Sequence, residues 1–120
     1  MRPKRLLFVA RCPPHGGARA AEMLDAALIA ASFGQDVHLA FLDDGVFQLL
    51  ADQQPGPDGP RNFAAGFADL DDYDIDPVWV ERDSLGVRGL SAGDLMIPVT
   101  LLDRRDLAER MAEMDVVIGS

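Results

Sequence analysis

The chain has 120 residues and 13.0 kDa, the size of one domain, and is 48% hydrophobic with a mean hydropathy of +0.04, enough to bury a core. Twenty Asp and Glu against 11 Lys and Arg give a net charge of −9, which argues against a nucleic-acid or anionic-membrane surface, since both require a basic face. A single cysteine, Cys12, excludes an internal disulfide and any multi-thiolate metal centre, and points to a reducing, cytoplasmic setting.

Met1 to Arg5 is basic and precedes the apolar run Leu6 to Ala10. Five residues are too few for a signal-peptide core of about 7–15. No stretch approaches the roughly 20 apolar residues of a membrane span. A short continuous apolar run of this kind is expected of a strand buried on both faces of a parallel sheet. It breaks at Cys12-Pro13-Pro14-His15-Gly16-Gly17. Ala20, Leu24, Ala27, Leu28 and Ala31 then recur at helical spacing, predicting a helix over Ala18 to Phe33 with Gly34 as its C-cap. Val37 to Leu42 reads as a second strand ending at Asp43-Asp44-Gly45. Val46 to Ala51 is expected to be a short helix, Gln53 to Pro60 a mobile loop, and Arg61 to Leu70 a helix with Phe63, Ala64, Phe67 and Leu70 on one side. Pro77 to Val80 begins a third strand. Asp83 to Gly93 has no clear period. Met96 to Leu102 is either a strand interrupted at Pro98 or a loop leading into one. Asp103 is the expected N-cap of a helix over Arg104 to Met114, with Leu107, Met111 and Met114 inward. Asp115 to Gly119 closes the chain as a strand.

This alternation is the signature of a single α/β domain over residues 1–120, three-layered, with a mainly parallel sheet flanked by helices, flavodoxin-like in layout. Functional residues in such sheets collect at the carboxyl ends of the strands. That rule selects three loops: Arg11 to Gly17, Asp43 to Phe47 and Glu81 to Arg88.

In the first loop Cys12 and His15 are weak catalytic candidates. A helix N-terminus and a nearby imidazole both favour a thiolate, while a plain strand-to-helix turn explains the same residues. Neither G-x-G-x-x-G nor the P-loop pattern is present. In the second loop Asp43 and Asp44 suggest a metal site, a phosphoacceptor or a capping pair for the helix that follows. Lys4 is the only lysine, so the lysine a receiver-type phosphoacceptor needs is missing. The third loop, opening Glu81-Arg82-Asp83-Ser84, reads as a solvated charged rim. The acidic cluster Asp69, Asp71, Asp72, Asp74 and Asp76 lacks the glycine of a calcium loop and reads as a solvated helix end and turn. No metal or cofactor is expected.

Several segments resemble one family. The run Phe41-Leu42-Asp43-Asp44-Gly45-Val46-Phe47-Gln48-Leu49-Leu50 is similar to the strand-and-turn segment of the TusC/DsrF branch of the DsrE/DsrF/DsrH-like sulfur-relay proteins. Pro14-His15-Gly16, Tyr73-Asp74-Ile75, Val78-Trp79-Val80, Ser84-Leu85, Arg88-Gly89-Leu90 and Asp115 to Ile118 match the same branch in order. The resemblance implies one subunit of a cytoplasmic heterohexamer with TusB/DsrH-like and TusD/DsrE-like partners. Such complexes pass persulfide sulfur toward 2-thiouridine at the tRNA wobble position or, in the DsrEFH form, serve sulfur oxidation. It further implies that Glu81 stands where the TusD/DsrE subunit carries its relay cysteine. The chain is therefore expected to assemble the complex rather than carry the sulfur, without contacting nucleic acid or membrane. Val46, Phe47, Leu49, Leu50, Phe63 and Phe67 are the expected subunit contacts. The rival expectations are a persulfide carrier using Cys12 and a flavodoxin-like binder of a small phosphate ligand.

Overall fold

A computed structural model describes residues 3–13, 19–50, 70–75 and 77–119. Five strands form one sheet: β1 (Arg5–Ala10), β2 (Asp36–Phe41), β3 (Val78–Glu81), β4 (Thr100–Leu102) and β5 (Val116–Gly119). Three α-helices are described: α1 (Arg19–Ser32), α2 (Arg82–Val87) and α3 (Arg104–Ala112). The strand order is β4-β3-β2-β1-β5 and every pairing is parallel. From β1 to β4 the chain steps one strand at a time in one direction; from β4 it returns across the whole sheet to β5. Right-handed crossovers in opposite directions place their helices on opposite faces, and the two cores follow.

Alternation along each strand sorts the side chains. Phe8 and Ala10 of β1, Val37, Leu39 and Phe41 of β2, and Val78 and Val80 of β3 pack with Met23, Leu24 and Ala27 of α1. Leu7, Val9, Ala40 and Trp79 face the other way and pack with Leu107 of α3, with Met111 and Met114 at the margin. The Trp79 ring stacks on His38 at 5.0 Å between centroids, and His38 Nε2 lies 3.1 Å from Asp36. Small alanines on α1 let it lie close to the sheet, as their spacing predicts.

The ends of the elements have identifiable causes. Helix α1 closes at Gly34, whose φ of +87° is the left-handed conformation that favours glycine. Asp103 caps α3 by accepting the Asp106 N–H at 2.7 Å. Met96 to Leu102 resolves as a loop leading into the three-residue β4. Two expectations change. The segment after Asp43 is a 3-10 helix over Asp43–Leu49, beginning three residues earlier than the short helix expected there. Helix α2 occupies part of the stretch that showed no period; it is six residues long and buries only Ser84 and Leu85, too few positions to display one. The loop expected over Gln53 to Pro60 and most of the helix expected over Arg61 to Leu70 lie outside the described residues. Leu70–Tyr73 is a 3-10 turn.

Candidate functional site

The carboxyl edge of the sheet brings together Arg11 and Cys12 after β1, Asp43 after β2, Glu81 at the end of β3, and Asp103 and Arg104 after β4. Glu81 is the fourth residue of β3, so alternation puts it on the same face as Trp79, beneath α3. It is 4% exposed. The charged rim expected at Glu81 is therefore corrected: Arg82 and Asp83 are exposed, but Glu81 is buried because it continues the strand instead of starting the loop.

Burial of a carboxylate demands partners. Ser84, one turn into α2, donates its hydroxyl to Glu81 Oε1 at 2.7 Å. The same hydroxyl oxygen accepts the backbone N–H of Asp43 at 2.8 Å. Asp43 has a φ of +52°, an unusual backbone conformation for a side-chain-bearing residue. The other carboxylate oxygen, Oε2, pairs with the Arg104 guanidinium, with Nε at 3.5 Å, and the Arg104 side chain is 79% exposed. The ends of β2, β3 and β4 are thus tied through one carboxylate.

Asp43 and Asp44 do not cap the helix that follows, which lacks a side-chain cap bond. Asp44 instead accepts from Arg88 Nε and Nη2 at 3.1 and 3.0 Å. Arg88 also donates to the Ser84 carbonyl at 3.1 Å and lies 6.0 Å from the Phe47 ring centroid. Gly45 packs so closely on the end of β1 that a Cβ there would overlap the Ala10 carbonyl. The Asp-Asp-Gly turn locks the edge together instead of offering a metal site. Among the described residues no cluster of His, Cys, Asp and Glu could hold a metal ion.

Among the described residues, two cavities lie along this edge. One of about 300 Å³ opens on the α3 face between Arg11, Asp43, Glu81, Arg104, Leu107 and Met111. A larger one of about 680 Å³ lies on the α1 face between Phe8, Arg11, Glu22, Met23 and Ile118. Cys12 lines neither; it is half-buried, and its carbonyl accepts from the buried Gln48 amide at 2.8 Å. His15 lies outside the described residues, so its expected pairing with Cys12 falls there as well.

Of the expected subunit contacts, Val46 and Leu49 are fully buried in the α1-side core and have no surface left to offer. Phe47 and Leu50 keep part of theirs, and Phe63 and Phe67 lie outside the described residues. Sequence reasoning missed Arg11, Ser84 and Arg104 as members of the Glu81 cluster. Their positions at strand ends, singled out by the parallel-sheet rule, were the available signal.

Residues 4–119 match the DsrE/DsrF-like family. The chain is 40% identical over 116 residues to Protein TusC of Klebsiella pneumoniae, spanning 96% of this chain and 98% of that one. It is 33% identical over 114 residues to a Protein TusC homolog of Aliivibrio fischeri, spanning 95% and 97%. An intracellular sulfur oxidation protein DsrF of Allochromatium vinosum is 42% identical over 93 residues, covering 78% of this chain and 68% of that protein. The fold matches the ychN protein of E. coli at a TM-score of 0.84 with 23% identity and full coverage of both chains. Among the described residues no helix is long and apolar enough to cross a membrane.

Proposed function

Because the chain belongs to the DsrE/DsrF-like family, we propose that it is the assembly subunit of a TusC/DsrF-type sulfur-relay complex, in which persulfide sulfur passes without residing on this chain. The observation that carries this reading is Glu81. It stands at the end of β3, where the resemblance places the relay cysteine of the TusD/DsrE subunit, and a carboxylate forms no persulfide. Cys12, the lone thiol, sits two strands away and outside both edge cavities.

The partners are TusB/DsrH-like and TusD/DsrE-like subunits in a cytoplasmic heterohexamer whose product is 2-thiouridine at the tRNA wobble position. Two features support assembly. Phe47 and Leu50 are half-buried beside the carboxyl edge. Val116, Val117 and Ile118 of β5 are 39–43% exposed on a sheet edge that no described element covers. An apolar uncovered edge strand is a liability in a monomer and an asset in a permanent complex. With −9 on this subunit, contact with tRNA falls to another protein.

The relative named for sulfur oxidation favours a second reading, in which the same assembly serves oxidation. Purification of the native complex with identification of its members tests both. Co-elution of this chain with two related subunits supports assembly, and the downstream acceptor that travels with them tells the two pathways apart. A lone monomer in the presence of those subunits overturns the reading.

A further inference from the structure

We draw no further inference here: the strongest candidate, the groove of about 680 Å³ between α1 and the edge strand β5, lined by Phe8, Met23, Ala26 and Ile118, carries nothing because nothing in the structure shows what covers it.

Discussion

The Ser84 hydroxyl bridges two strand ends, donating to Glu81 Oε1 at 2.7 Å while accepting the Asp43 backbone N–H at 2.8 Å. Ser84→Ala removes both bonds at once and leaves a buried carboxylate oxygen and a backbone donor unpaired. Unsatisfied buried groups cost about 1–3 kcal/mol. Urea denaturation should show a lower midpoint with an unchanged slope, since the surface exposed on unfolding is the same.

Gly45 tests the packing of the Asp-Asp-Gly turn on β1. A side chain there overlaps the Ala10 carbonyl and comes within 3.0 Å of the Arg11 nitrogen, both backbone atoms that cannot rotate away. Gly45→Ala should destabilise by about 2–3 kcal/mol, measured by chemical or thermal unfolding. At Gly86, where a Cβ would meet nothing within 4 Å, alanine should be tolerated.

Arg88 joins α2 to the 3-10 helix after β2 through Asp44, the Ser84 carbonyl and the Phe47 ring. Asp44 is more than half exposed, so solvent screens the ion pair and the whole clasp should be worth only about 1 kcal/mol. Arg88→Ala should lose that amount. Arg88→Lys should recover only part, because an ammonium cannot reproduce the forked contact. A double-mutant cycle with Asp44→Ala isolates the pair.

Asp103 positions the helix that covers Glu81. Asp103→Ala leaves the Asp106 N–H without its acceptor and should cost about 1 kcal/mol in thermal or urea unfolding. Asp103→Asn or Asp103→Ser should restore most of it.

Much of this architecture is legible in the sequence, for reasons that differ by element. The apolar run Leu6 to Ala10 announces β1 because a strand buried on both faces has no polar alternation to obscure it. Asp103 with Leu107, Met111 and Met114 announces α3 because cap and period agree. Helix α2 is too short to show a period. Glu81 was hidden by its neighbours: beside Arg82 and Asp83 it reads as a solvated charge. The alternation Val78-Trp79-Val80-Glu81 puts it under α3 with Trp79, and strand parity was the signal that could have found it. The pairing of Asp44 with Arg88, 44 residues apart, carries no local signal, because two surface charges gain a partner only once the fold brings α2 beside β2.

The central claim is that sulfur moves through the complex without being held on this chain. Intact-mass measurement of the purified complex after exposure to a persulfide donor tests it most directly. The expected result is a one-sulfur adduct on a partner subunit and an unchanged mass for this chain, with sulfur transfer undiminished in Cys12→Ser. A one-sulfur adduct on this chain that disappears in Cys12→Ser would contradict it.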